Sequence, residues 1–300
     1  MAESVADQVQ LGIVAEGSYG VDPATTRQLL RFTSHTLERL QATVTSQEIT
    51  GDRQIVDLIQ TDLNIAGDIN FELSAEAFDL PFQGLLMSSS LGDNGTTLKS
   101  YTIEEQYLDQ STLSEIYTGC MFNGMTLNVA PASIVTGSFN VLGKTSVAGT
   151  GMTTPTAAAT NTVLNAITNV TALTEGGSAV ELVSMVLRVA NNLRPRPLIG
   201  VLGPNSMALG QLNVSGSLRL YFEDNTMYNK FRNMTGSSLS ISIRTSGDKG
   251  YKFDVYNLKY SKARKVAGGI NTDIIVELEF QGLKKATSTY KTLSITALTA

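Results

Sequence analysis

Between residues 63 and 73 the chain alternates without a break. Leu63, Ile65, Ile69, Phe71 and Leu73 occupy one set of positions, and Asn64, Asp68, Asn70 and Glu72 the other. A period of two puts each set on its own face of a strand, whereas a helix would scatter both around its axis. The segment therefore predicts a sheet with one buried and one wet face. The pattern returns where Val214, Leu218, Leu220 and Phe222 alternate with Asn213, Ser215, Ser217 and Arg219. It returns again where Val276, Leu278 and Phe280 alternate with Glu277, Glu279 and Gln281. Further strands are predicted at 101–107, 121–129, 134–143, 181–190, 238–246, 251–261 and 272–281. Short helices are predicted at 24–31, 75–87 and 224–233, the second made irregular by Pro81.

The two longest alternating strands belong to an internal repeat. A shift of 149 lays residues 37–73 over 186–222 without a gap. Arg39 then meets Arg188, Gly51 meets Gly200, Leu63 meets Leu212, Asn64 meets Asn213 and Gly67 meets Gly216. Both strands lead into a short helix with aromatics, Phe78/Phe82 and Tyr228/Phe231. Each half closes on a strand ending in glycine, Gly143 and Gly282. The order strand, helix, strands is kept, and duplication is the expected architecture. It divides the chain into a β domain at 1–146, a Thr/Ala/Gly-rich connecting arm at 147–178, a second β domain at 179–285 and a C-terminal arm at 286–300. The connecting arm carries one charge, Glu175, yet has Val163, Leu164, Ile167, Val170 and Leu173 to pack somewhere. Both arms are expected to dock on neighbouring copies.

Composition removes most other functions. Charged residues are 16% of the chain, against roughly 25% in a typical soluble protein, and the net charge is −5. Ser, Thr and Asn fill the gap, which suits surfaces that end in protein contacts, since interface cores are depleted of charge. No basic stripe for phosphates is present; the densest cations, Lys259, Lys262, Arg264 and Lys265, read as a solvated hairpin end. One cysteine, Cys120, excludes an internal disulfide. One histidine, His35, leaves no material for a hydrolytic triad or a His/Cys zinc site and reads as a surface or capping residue. No phosphate-cradling glycine loop occurs, so neither cofactor nor metal is expected. Glu104–Glu105 and Glu277/Glu279 are the only tight carboxylate pairs. No signal peptide or membrane span is indicated, and the cytoplasm of the producing cell is the expected compartment. The residues alone lead to a structural subunit of a symmetric assembly.

Several stretches resemble the major tail tube protein family of long-tailed bacteriophages, most closely the non-contractile, siphovirus type. They are Glu16-Gly17-Ser18-Tyr19-Gly20 followed by Leu30-Arg31-Phe32-Thr33-Ser34, the run from Thr45 to Gln54, Tyr117-Thr118-Gly119-Cys120, and the run from Val135 to Lys144. The similarity covers 11–146 well and the second half mainly through its strand pattern. Arg194-Pro195-Arg196-Pro197, opposite Thr45-Ser46-Gln47-Glu48, departs from strict equivalence of the halves.

The resemblance implies a mainly β fold of two β-sandwich or split-barrel lobes, each with a short flanking helix. It implies a structural, non-enzymatic role in the virion tail, with assembly in the host cytoplasm. The expected partners are further copies of the chain, in trimeric rings of pseudo-sixfold symmetry that stack into a hollow tube, and the tape measure, tail terminator and distal tail proteins. DNA would pass through without specific binding. Acidic groups on a polar sheet face would repel it, and the candidates are Asp68, Asn70, Glu72, Glu277 and Glu279. Two alternatives stay open: a capsid decoration protein or tail-associated adhesin, and a carbohydrate-active enzyme using Glu104 and Glu105.

Overall fold

The computed structural model describes residues 4–110, 112–152, 154–285 and 291–299. Strands account for 52% of the chain, so the mainly β expectation holds. In the first half they are β1 (Val9–Ala15), β2 (Gln28–Leu30), β3 (Ser34–His35), β4 (Glu38–Thr45), β5 (Leu58–Glu72), β6 (Gly92–Asp93), β7 (Tyr101–Tyr107), β8 (Ser114–Val129), β9 (Thr136–Gly143) and β10 (Thr145–Gly149). Helix α1 (Asp79–Leu86) follows β5. Then come β11 (Val170–Glu175), β12 (Ser178–Ala179), β13 (Ser184–Ala190), β14 (Arg194–Arg196), β15 (Ser206–Ala208) and β16 (Asn213–Tyr221). Helix α2 (Thr226–Arg232), β17 (Ser237–Arg244), β18 (Gly250–Ala267), β19 (Ile274–Gly282) and β20 (Leu293–Leu298) complete the chain.

One antiparallel path runs β4-β5-β9-β8-β13-β16-β19-β18, eight strands in which each is paired with the next. It does not close into a barrel. Strand β8 works in two places. Its start lies between β7 and β10, where Ser114 faces Gln106 and Gly149; its end lies between β9 and β13, where Gly124 faces Asn140 and Ala190. Strand β18 is used similarly, first between β17 and β20 and then against β19. The pairings β1–β7–β8–β10 and β8–β9–β5–β4 thus recur as β11–β17–β18–β20 and β18–β19–β16–β13.

A continuous apolar core joins these strands. Alternation supplies it: Ile65, Ile69, Phe71 and Leu73 are all at most 2% exposed. Their counterparts Val214, Leu218 and Leu220 are buried too, with Phe222 half-buried at the edge. Helix α1 wedges between the halves. Phe82 packs edge-on against Phe139 on one side and against Tyr251 and Phe253 on the other. Pro81 fits because it is the third residue of the helix, where no intrahelical N–H bond is required.

Two expectations are corrected. Residues 24–31 are not helical: Ala24 has φ 50°, and Gln28–Leu30 pairs with β1, Leu11 opposite Leu30. The Leu29 N–H donates to the Thr156 carbonyl at 2.9 Å, a distant partner that local spacing does not reveal. The apolar residues of the connecting arm pack largely on their own chain. Leu164 is fully buried, and bridges link Gln28 with Thr156, Ser74 with Val163 and Ile134 with Asn165. Toward the C-terminus Leu293 and Ile295 are likewise buried, in β20 against β18; residues 286–290 and 300 of that arm lie outside the described residues.

Candidate functional site

Strand register carries the outward-facing sets of seven strands, β5 through β18, onto one face of the long sheet. One row runs Glu72, Thr136, Asn128, Val186, Ser217, Glu279 and Lys262. The next runs Asn70, Ser138, Thr126, Arg188, Ser215 and Gln281. Asp68 stands opposite Asn140, which is opposite Gly124, and Glu277 lies between Arg219 and Arg264. Asp68, Asn70, Glu72, Glu277 and Glu279, named from distant parts of the sequence, therefore share one surface. Two repeat glycines support it from the core side. A Cβ on Gly67 would lie 2.4 Å from the Thr36 carbonyl oxygen, and one on Gly216 would lie 2.2 Å from that of Val186. Only glycine lets these backbones approach so closely.

The five residues have different electrostatic settings. The Asp68 carboxylate accepts from Asn140 Nδ2 at 2.8 Å, and Asn140 Oδ1 accepts from Asn123 at 2.9 Å. Asn70 donates to Ser34 Oγ at 2.9 Å. Glu277 is held by Arg264 and, at 3.2 Å, by Arg219. The Arg264 hydrogen bond chiefly keeps its carboxyl below the usual range, against the opposing effect of burial. Glu279 pairs with Lys262 at 2.9 Å. The face is therefore a mosaic: carboxylates at the β5 end, and carboxylates neutralised by cations at the β19 end. Residue order missed the ion pairs, although the even spacing of Lys262 and Arg264 with Glu277 and Glu279 was the available signal. The fourth cation of that stretch, Lys265, lies over the rings of Phe222 and Tyr228 at 4.3 and 4.4 Å.

The other carboxylate pair does not converge. As strand neighbours, Glu104 and Glu105 point to opposite sides. Glu104 meets Arg27 at 2.6 Å and the Ser114 hydroxyl at 2.8 Å. Glu105 meets His35 at 3.4 Å and accepts from Tyr107 and Tyr117 at 2.8 and 3.0 Å. Two carboxylates facing apart cannot flank one glycosidic bond, and each is engaged by side chains of its own chain. His35 thus lies largely buried against the Glu105 carboxylate and packs edge-on to Phe32, rather than standing at the surface. Cys120 is fully buried, and burial pushes its thiol well above the ordinary range, so it is inert. Among the described residues no group of three or more His, Cys, Asp or Glu is placed to hold a metal ion. No helix there is long and apolar enough to cross a membrane.

Both ends of the long sheet are open. β4 has β5 on one edge only, and β18 has no partner on the β17 side beyond Leu258 among the described residues. The β4–β5 hairpin also leaves apolar side chains uncovered: Val44, Ile49, Ile55, Val56, Leu58 and Ile59 are all exposed. A polar sheet face with, among the described residues, two bare strand edges and uncovered apolar side chains is the make-up of a subunit that assembles through its edges. The sequence model of the phage tail tube protein family matches residues 6–282, and the chain belongs to that family. No curated protein sequence matches the chain. Membership makes it a structural tail tube protein and a virion component, one that assembles with itself and with other tail proteins.

Proposed function

We propose that the chain polymerises as stacked rings into the hollow tail tube of a siphovirus-type phage, and that the genome enters the host through its lumen. Each ring is a trimer in which six similar halves stand around a pseudo-sixfold axis, with the halves divided near 1–146 and 179–285. One observation carries this reading: a single pairing scheme occurs twice in the chain and leaves an open strand edge at either end of one eight-stranded sheet. Repeating units with unlike open edges form rings or filaments.

The face bearing Asp68, Asn70, Glu72, Glu277 and Glu279 lines the lumen in this proposal. Transit demands that DNA is not held. Basic grooves bind DNA by releasing its counterions. Here Lys262, Arg264 and Arg219 are already occupied by Glu277 and Glu279, and Asp68 and Glu72 add like charge that outnumbers Arg188, the cation of the second row. Assembly takes place in the host cytoplasm, and tape measure, terminator and distal tail proteins are the other contacts.

End-on electron-microscopic averages of the concentrated protein test the reading. Hollow rings or tubes with threefold or pseudo-sixfold averages are expected. Closed discs or spikes that never stack would overturn it in favour of a decoration protein.

A further inference from the structure

The contact between halves inside the chain specifies the contact between chains. Both long strands carry a register slip at the same place: Phe122 and Gly124 face Val141 and Asn140, and Tyr260 and Lys262 face Phe280 and Glu279. Gly124 of β8 is therefore the counterpart of Lys262 of β18, and Thr126 that of Arg264. On the other side, Ala66 has Glu38 and Leu142 as neighbours, and Ser215 has Arg188 and Gln281. Met121, opposite Leu142, matches Lys259, opposite Gln281, by the same slip. Glu38 of β4 thus holds the place of Arg188 of β13. The ungapped repeat, which set Arg39 there, is one residue out along β4.

Inside the chain Arg188 pairs directly with Thr126. We infer that β4 of one chain pairs antiparallel with the open edge of β18 in a second copy, Glu38 opposite Arg264 and Leu40 opposite Lys262. This rests on the ring reading and supplies its register. Charge agrees: Glu38 has no ion pair within the described residues, and beside the edge it meets three cations, Arg219, Lys262 and Arg264, share two carboxylates, Glu277 and Glu279. Opposite charges across a strand pair stabilise it. Coverage agrees as well. Met207 and Ala208, which the repeat lays over Leu58 and Ile59, are 4% and 7% exposed, whereas Leu58 and Ile59 are 61% and 51% exposed. The second-half hairpin is seated within the chain, and its first-half counterpart lacks its seat.

Mixing two single-site variants tests the register. Chains with Glu38→Cys and chains with Arg264→Cys are combined under assembling conditions, oxidised and run on a non-reducing gel, with electron microscopy of the same sample. Directly opposed side chains lie within disulfide reach. The expected result is a reducible dimer band from this mixture and none when Lys265→Cys, on the opposite face, replaces Arg264→Cys. Rings or tubes without the band, or a band only with Lys265→Cys, would overturn the register and leave the ring reading standing. Neither band nor rings nor tubes would overturn both.

Discussion

The Tyr251 hydroxyl on β18 donates to Asp79 Oδ1 at 2.7 Å and accepts the Phe78 backbone N–H at 3.0 Å, across more than 170 residues of sequence. Burial, reinforced by the Asp79 carboxylate, pushes this phenol well above its ordinary pKa, so it stays a donor. Tyr251→Phe leaves a buried N–H and a carboxylate without their partner. A loss of about 1–3 kcal/mol is expected, read as a lower urea midpoint, and an unchanged midpoint would show that the link does not hold α1 in place.

Gly216 faces the core, where a methyl group has no room. Gly216→Ala should destabilise by about 1–3 kcal/mol, because the obstructing Val186 carbonyl is backbone and cannot rotate away. Gly17→Ala is the control. Nothing lies within 4 Å of its Cβ position, and its midpoint should shift by no more than about 0.5 kcal/mol. Equal effects at both sites would contradict the packing described.

Glu105 makes stability depend on acid. Burial raises its pKa, but hydrogen bonds from His35, Tyr107 and Tyr117 outweigh this and hold it below the ordinary glutamate value. In the window between the lowered folded value and the ordinary one, the unfolded chain binds more protons. Stability from this group is therefore present above the ordinary range and lost as pH falls through the folded value. Glu105→Gln should flatten the part of the stability profile that lies below the ordinary glutamate range. A profile parallel to the parent's would show that the group contributes nothing.

Reversing charge on the proposed lumen face separates assembly from transit. The double variant Asp68→Lys, Glu72→Lys alters positions away from both open edges. Tubes of normal width are expected, with phage titre and DNA release reduced as unpaired cations retain phosphates. Normal infectivity from such tubes would move these residues off the lumen.

Legibility followed burial. β5 was readable because one face is buried and the other wet. The first part of β8, residues 114–120, went unread because Tyr117 to Phe122 is buried on both faces, which removes the alternation. The short stretch 24–31 fits a helix as well as a strand by spacing alone, and β1 and Thr156 decide for the strand. The acids of the polar face could be named from alternation, but their grouping depends on five strand pairings, from β5 through β9, β8, β13 and β16 to β19. The Arg264–Glu277 pair likewise exists only once the β18–β19 register is set.

The β8–β13 contact has a kinetic consequence. Its two strands are tethered, so they meet at an effective concentration set by the chain and not by the solution. That contact is complete in a lone molecule at any dilution. What remains outside is one bare edge of each kind, β4 at one end and β18 at the other. Such a molecule is head-to-tail by construction: a twofold dimer joining like edges would leave the unlike ones unused, whereas head-to-tail addition uses one of each kind.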